Sequence, residues 1–204
     1  MCMSINMEVH YMYHFFAMLS RMKFINRWGL MRNTKTENLS EHSFDVAVIA
    51  HALVVIHNHI SENKLSAERA ATLALFHDAT EIITGDMPTP IKYYSDDIRQ
   101  AYTVVENMAQ KKLLSMLPDN MQKEYLPLIN ENDPLDKDLL VFVKAADKLS
   151  ALIKCIEETK SGNTEFVKAE KTISDSLKQM NLPEVDYYIE NYLPSYRLTL
   201  DEQD

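Results

Sequence analysis

The sequence predicts an all-α protein, a single helical bundle of about seven to eight helices. Apolar residues recur at the 3.6-residue helical period, for example at 46, 49, 50, 53 and 54. Only three of the 204 residues are glycine, too few for the tight hairpins and glycine-rich phosphate loops of many β and α/β folds. The seven prolines leave long uninterrupted segments between them.

The individual helices follow from apolar periodicity and from residues that start or stop helices. Asn38 or Ser40 caps the second predicted helix. Ser66 caps the third and Gly85 ends it, while Gly162 ends the long helix over 136–160. The predicted helices span 11–25, 40–59, 66–83, 96–117, 119–132, 136–160, 165–180 and 184–192. We expect an N-terminal extension over 1–12, one domain over 13–200 and an acidic tail over 201–204.

Charge and cysteine usage narrow the classes of partner. The net charge of −9 disfavours binding to nucleic-acid polymers or to membrane surfaces, which needs a basic surplus. Two cysteines, Cys2 and Cys155, make no disulfide framework, which favours a reducing cytoplasm. We predict no signal peptide, because the N-terminus lacks a basic n-region and an Ala-x-Ala-type cleavage site. We predict no membrane span, because the longest uncharged run, 46–61, contains three histidines and is too short.

Titratable side chains interrupt the predicted apolar helices at three places. His77 and Asp78 stand in the run LALFHDA with Glu81 one turn later, His42 begins the second helix, and Asp147 lies beside the apolar stripe of the long helix. An ionised carboxylate in such a place costs several kcal/mol unless it has a partner. Two histidines and two carboxylates from three helices suit a first-row divalent ion. Such an ion lowers the pKa of water from about 15.7 toward about 7.

Each of these residues has an ordinary alternative when it is taken alone. His42 could lie on the surface at a helix start, Asp147 could pair with a neighbouring lysine in solvent, and Glu81 could be an ordinary helix carboxylate. Three more residues have similar alternatives, as an exposed cation, a core aromatic ring and a turn former: Arg27, Trp28 and Asp86.

Longer strings around these positions carry a family resemblance. They are RMKFINRW at 21–28, TENLSEHS at 36–43, HDATE at 77–81, TGDMPTPIK at 84–92, DKLSALIKCIEE at 147–158 and PSYRLTLDE at 194–202. The pattern of histidine, His-Asp pair and aspartate resembles the HD-domain metal-dependent phosphohydrolases. The strings together are similar to the bacterial 5′-deoxynucleotidases of the YfbR type, from about residue 13 to residue 202.

The resemblance implies an activity, a cofactor and a site. The activity is hydrolysis of deoxyribonucleoside 5′-monophosphates with selection against ribonucleotides, by a homodimer that uses one divalent transition metal ion such as Co²⁺ or Mn²⁺. The implied metal ligands are His42, His77, Asp78 and Asp147. Glu81 is implied as the acid/base group, Arg27 as the phosphate-orienting residue, and Trp28 as the residue that presses on the sugar. The other implied substrate contacts are Asp86, Met87, Pro88, Thr89 and Lys92.

Two other functions are weighed against this one. An HD phosphohydrolase acting on a nucleoside triphosphate, a cyclic dinucleotide or a stringent-response nucleotide is disfavoured by the short chain and by the lack of an extra basic cluster or a Gly-Tyr-Pro extension. A non-catalytic, metal-dependent regulatory module would normally have lost a ligand or the Glu81 equivalent, and neither is lost here.

Overall fold

The computed structural model describes residues 12–92, 94–130 and 133–203. Over these ranges the backbone is helical or irregular, with an isolated antiparallel bridge between Asn26 and Asn38. The α-helices are α1 (Phe15–Leu19), α2 (Leu39–Ile60), α3 (Ala67–Phe76), α4 (Glu81–Thr84), α5 (Thr89–Lys92), α6 (Asp96–Leu114), α7 (Asp119–Ile129), α8 (Lys137–Lys160), α9 (Val167–Lys178) and α10 (Pro183–Asn191). Seven of them have nine residues or more, which confirms the all-α prediction for the described residues.

Helix α2 is the centre of the bundle. The Asn38 side chain accepts hydrogen bonds from the backbone N–H groups of Ser40 and Glu41, and the Glu41 carboxylate accepts one from Asn38 N–H, which completes a capping box. Its apolar positions, among them Leu53 and Val54, are fully buried against α3, α8 and α10. By length and composition α2 could cross a membrane, but 56% of its apolar window is buried inside the bundle, as expected of a core helix.

Helix α8 carries polar residues along one side. Asp147, Ser150, Lys154 and Glu158 follow each other at spacings of three, four and four residues and so lie on one stripe. The rest of α8 packs into the core through residues such as Leu149 and Ile156. The stripe faces the irregular segment 25–38 that precedes α2, because Ser150 contacts the first turn of α2 and Glu158 binds the segment itself.

The prediction of one continuous helix over 66–83 is wrong. Helix α3 ends at Phe76, a turn occupies 77–80, and α4 begins at Glu81. The backbone tightens there to i→i−3 hydrogen bonding, for example from Ala79 N to Phe76 O and from Glu81 N to Asp78 O, both at 3.0 Å. A second, smaller core anchors this turn, since Ala79 packs in it with Phe15 and Leu113.

The chain ends differ from the expected ones in detail. The predicted first helix is the short α1 followed by a 3₁₀-helix over Ser20–Phe24, and its residue 11 lies outside the described residues. The predicted extension over 1–12 also lies outside them except for Met12. At the other end Leu200–Glu202 forms a 3₁₀ turn with a capping box between Thr199 and Glu202.

Candidate metal centre

His42 lies in the first turn of α2 and is fully buried, so the surface interpretation of this residue is wrong. Its Nδ1 atom lies 3.1 Å from Ser150 Oγ and 2.8 Å from Arg27 Nη1. Its Nε2 atom points the other way, 3.1 Å from Asp147 Oδ1 and 3.6 Å from Asp78 Oδ2. A guanidinium only donates, so Nδ1 accepts from Arg27 Nη1 as the groups stand. A cation at Nε2 would require the ring proton to move to Nδ1, where Ser150 Oγ can accept it but Arg27 Nη1 cannot.

His77 and Asp78 lie in the turn that follows α3. His77 Nδ1 donates to Ala74 O at 2.7 Å, which leaves Nε2 facing Asp78 Oδ2 at 3.2 Å. The ring centroids of His77 and His42 are 5.3 Å apart. The break in the helix therefore brings the His-Asp pair against the start of α2.

Asp147 approaches the cluster from α8 on the side of His42, outside the three-residue group of ligand atoms that lie closest together. Its Oδ1 atom approaches His42 Nε2, and it lies 3.9 Å from Arg27 Nη2. Within the described residues, His42, His77 and Asp78 offer ligand atoms that all lie within 4.8 Å of one another. Apart from these carboxylate contacts, the Nε2 atoms of both histidines are buried without a hydrogen-bond partner among the described residues. Imidazole and carboxylate groups that converge in this way fit a first-row divalent cation.

Burial and neighbouring charges shift the pKa values of the clustered side chains. Burial alone would lower the pKa of His77, but the Asp78 carboxylate and its hydrogen bond raise that pKa to about 10. Burial opposes ionisation of Asp78, yet His77, His42 and Arg27 hold its pKa well below its usual range. The pKa of Asp147 is also lowered, by its bond to His42 against the effect of burial. The carboxylates of Asp78 and Asp147 are thus held ionised beside His77, whose Nε2 proton a metal ion would displace on binding.

Glu81, the first residue of α4, is half-buried on one side of this cluster. Its buried Oε2 atom has no hydrogen-bond partner among the described residues. Burial, and then the negative charges of Asp78 and Asp86, raise the pKa of Glu81 to about 9. The carboxyl group can therefore carry a proton at neutral pH in the metal-free protein, a property suited to general acid/base chemistry.

Arg27 and Trp28 lie on the irregular segment before α2. The Arg27 guanidinium is largely buried and donates to Glu37 Oε2 at 2.9 Å. Burial acts to lower its pKa, but the charges of Glu37 and Asp147 raise it above the ordinary value. Trp28 has a left-handed backbone, with φ of +60°, which costs energy for a residue with a bulky side chain. Phe166 packs against its ring with the centroids 5.3 Å apart.

The other predicted substrate contacts lie on the segment after α4. Asp86 Oδ2 accepts a hydrogen bond from Trp28 N at 3.2 Å, and burial raises its pKa. Met87 and Pro88 are half-buried, and the side chain of Thr89 is not among those the structure describes. Lys92 Nζ donates to Glu106 Oε1 at 2.8 Å and lies over the Tyr102 ring, which ties it to α6.

Two residues near the cluster were missed in the sequence. Ser150 stands one helical turn after Asp147, inside the apolar stripe of α8, and that polar interruption was the available signal. Glu37 immediately precedes the cap of α2 and accepts from both Arg27 and Trp28. No local pattern marks Glu37, because its partners come from ten and nine residues upstream.

Comparisons with known proteins agree with the family resemblance found in the sequence. The family profile described as 5′-deoxynucleotidase YfbR-like matches residues 14–196. This chain is 48% identical over 189 residues to a 5′-deoxynucleotidase of Erwinia tasmaniensis, covering 93% of this chain and 95% of that protein. It is also 48% identical to the 5′-deoxynucleotidase YfbR of Escherichia coli, covering 93% and 94%. A crystal structure of an HD-domain phosphohydrolase from Listeria innocua matches with a TM-score of 0.75 and 25% identity, over 90% of this chain and 88% of that one.

Proposed function

The chain belongs to the YfbR-like family of 5′-deoxynucleotidases, and on this premise we propose that His42, His77, Asp78 and Asp147 are its metal ligands. The protein is a phosphoric monoester hydrolase that converts deoxyribonucleoside 5′-monophosphates to deoxyribonucleosides and phosphate. The observation that carries the ligand assignment is that the buried Nε2 atom of His42 faces Asp78 and Asp147 while the buried Nε2 atom of His77 faces Asp78.

One divalent ion would be held by these four side chains, from α2, the turn after α3, and α8. Imidazole together with carboxylate suits Mn²⁺, Co²⁺, Fe²⁺ or Zn²⁺, and the supply of these ions in the cell decides which of them is bound. When bound, such an ion polarises a phosphoryl oxygen and makes hydroxide available at neutral pH.

The remaining chemistry falls to two residues beside the ligands. Arg27 carries a permanent charge next to Asp147 and orients the phosphate, whose equatorial oxygens gain stabilisation from a fixed cation in the transition state. Glu81 handles the proton: its carboxyl group takes one from the attacking water or gives one to the departing 5′-oxygen. Its burial, unpartnered oxygen and raised pKa support this role.

Selection against ribonucleotides is assigned to Trp28. Its ring is fixed by Phe166 and Glu37, and its backbone by Asp86 and by Asn33 Nδ2, which donates to Trp28 O at 3.3 Å. A rigid aromatic wall at the sugar leaves little space for a 2′-hydroxyl. The substrate contacts from the other side are Asp86, Met87, Pro88, Thr89 and Lys92.

We also infer that the protein works as a cytoplasmic homodimer. Phe44 and Val48 are 63% and 55% exposed one turn apart on the outer face of α2, which supports a contact surface for a second copy. Light scattering on the purified protein should give twice 23.6 kDa, whereas a mass of one chain would contradict the dimer.

Phosphate release provides the test of function. The chelated protein is assayed on the common deoxyribonucleotide and ribonucleotide monophosphates, on deoxynucleoside triphosphates and on para-nitrophenyl phosphate, with Mn²⁺, Co²⁺, Zn²⁺ or Mg²⁺ added back. We expect metal-dependent release from deoxyribonucleoside monophosphates alone. Equal rates on AMP and dAMP would contradict the role of Trp28, and release of pyrophosphate or triphosphate would favour another nucleotide as substrate.

A further inference from the structure

Glu37 binds the two substrate-facing residues of the 25–38 segment at once. Its carboxylate is 11% exposed, and its Oε2 atom accepts hydrogen bonds from Arg27 Nη1 at 2.9 Å and from Trp28 Nε1 at 3.0 Å. Its backbone carbonyl accepts a third bond, from Arg27 N at 3.0 Å. One carboxylate oxygen thus fixes a guanidinium and an indole side by side.

We propose that Glu37 is a positioning residue that holds Arg27 and Trp28 in one arrangement, so that phosphate orientation and sugar selection are set together. The inference rests on the function proposed above for Arg27 and Trp28. Glu37 itself need not touch substrate, because it acts through its two donors. Hydrogen bonds to a charged carboxylate are stronger than those to a neutral acceptor. Glu37 is therefore suited to hold Arg27 and Trp28 in place during turnover.

For Arg27, Glu37 decides which carboxylate the guanidinium faces. The competing carboxylate is Asp147, whose Oδ1 atom is 3.9 Å from Nη2. Without the bond to Glu37, the guanidinium is free to move toward this proposed metal ligand and away from the position of the phosphate. Glu37 therefore holds the guanidinium back from Asp147, while Nη1 stays in contact with His42 Nδ1 at 2.8 Å.

For Trp28, Glu37 fixes the polar edge of the ring. Asp86 holds the backbone N–H and Phe166 packs on the ring face, but neither of these contacts determines the tilt of the indole about its edge. The bond from Nε1 to Glu37 supplies that constraint. Loss of it should let the ring tilt and admit a 2′-hydroxyl.

A second buried acid, Glu158 of α8, binds the same segment and provides a matched control. Glu158 accepts hydrogen bonds from the backbone N–H groups of Thr34 and Lys35, so it anchors the segment, and none of its described bonds reaches Arg27 or Trp28. If anchoring the segment were all that Glu37 does, Glu158→Gln should have the same consequences as Glu37→Gln.

The experiment compares Glu37→Gln, Glu37→Asp and Glu158→Gln by steady-state kinetics on dAMP and AMP with Mn²⁺ or Co²⁺. We expect both Glu37 variants to lose about tenfold or more in kcat/KM for dAMP, with a smaller loss for AMP, because a hydrogen bond to a charged group is removed or bent. The ratio of dAMP to AMP turnover should fall. Glu158→Gln should keep that ratio even though it is less stable.

A second readout does not need activity. Trp28 is the sole tryptophan, so acrylamide quenching of protein fluorescence reports on its ring alone. Quenching should increase in both Glu37 variants and stay at the wild-type value in Glu158→Gln. The aspartate variant retains the charge but is one methylene shorter, which guards against a glutamine variant that fails to fold.

Unchanged quenching together with an unchanged dAMP to AMP ratio in Glu37→Asp would overturn the proposal. Equal changes in the Glu37 and Glu158 variants would also overturn it. Failure of the wild-type protein to release phosphate from dAMP with any of the metals would instead contradict the proposed function. The quenching experiment would still decide whether Glu37 holds Trp28.

Discussion

Two buried polar clusters, one around His42 and one around Glu158, lie along one stripe of α8 and contact the irregular segment 25–38. They differ in how many of their polar atoms have a hydrogen-bond partner. Around Glu158, both carboxylate oxygens accept bonds, from Thr34, Lys35, Lys154 and Asn163. Around His42, two imidazole nitrogens and an oxygen of Glu81 have no partner. A satisfied network stabilises a fold, whereas unpaired groups cost stability and are retained where a ligand or a reaction uses them. The comparison separates an anchor from a reactive site.

The largest expected effect comes from removing a ligand of the unsatisfied cluster. His77→Ala should lose the bound metal and reduce activity to the assay background, because even groups that only orient metal ligands are worth about 10–100-fold in affinity. Metal analysis after loading with Mn²⁺ or Co²⁺ checks this. The control is His51→Ala, an exposed residue of α2. Wild-type metal content in His77→Ala would abolish the distinction between the two clusters.

Glu81→Gln should separate catalysis from binding in the same cluster. Turnover should fall about 10²–10⁴-fold, the usual contribution of a general acid or base, while metal content and KM for dAMP change little. Full activity in this variant would remove Glu81 from the mechanism. Glu62→Gln, on an exposed loop, serves as the control.

The raised pKa of Glu81 gives a pH test in metal-free protein. Between about pH 4.3, the ordinary pKa of glutamate, and pH 9, the folded state binds a proton that the unfolded state has lost. Stability should therefore fall as pH rises through this window in the wild type, and less so in Glu81→Gln. Urea unfolding with a chelator from pH 5 to pH 9 measures the difference. A pH-independent difference would contradict the unpartnered state of Glu81.

Substitution in the satisfied cluster should affect stability and spare catalysis. Glu158→Gln should lower the free energy of unfolding by about 3–5 kcal/mol at pH 7, because it leaves the Lys154 charge buried without its partner. The folded-state pKa of Glu158 lies well below the usual range, so its stabilisation exists above about pH 4.3 and is lost as pH falls. Urea unfolding at pH 7 and pH 3, with exposed Glu157→Gln as control, tests both statements. Loss of bound metal in Glu158→Gln would contradict them.

The smallest expected effect is on the helix cap between the two clusters. Asn38→Ala should cost about 1 kcal/mol by leaving N-terminal amides of α2 without their acceptor. Activity should persist, since His42 is held by α8 and by the body of α2. A shift in thermal midpoint relative to Ser40→Ala measures the cost, and a large loss of activity would mean that the cap itself positions His42.

Local signals in the sequence were sufficient for the helices and for the ligand types. Periodicity and caps predicted α2 and α8 to within a few residues, because those helices are long and bury one clear stripe. Titratable residues in apolar helices marked His42, His77 and Asp147, since burial of such groups needs a reason. The family resemblance, rather than spacing alone, supplied the roles of Arg27 and Trp28.

The break after Phe76 and the pairing of Glu37 could not be predicted in this way. The break depends on a second core in which Ala79 meets residues of α1 and α6, which are far away in sequence. The role of Glu37 depends on an antiparallel contact between two loop segments, at Asn26 and Asn38. A single bridge of this kind leaves no periodic pattern in the sequence. Tertiary contacts decided both features.

The single stripe of α8 has a consequence for chain length. Asp147 and Glu158 are separated by eleven residues, about 16 Å along the axis at about 1.5 Å per residue. Helix α8 therefore fixes the distance between the cluster around His42 and the cluster around Glu158. One inserted residue would turn everything beyond it by about 100° and bring one cluster out of register with the 25–38 segment. Insertions between these positions should be intolerable, while the turn after Lys160 should accept them.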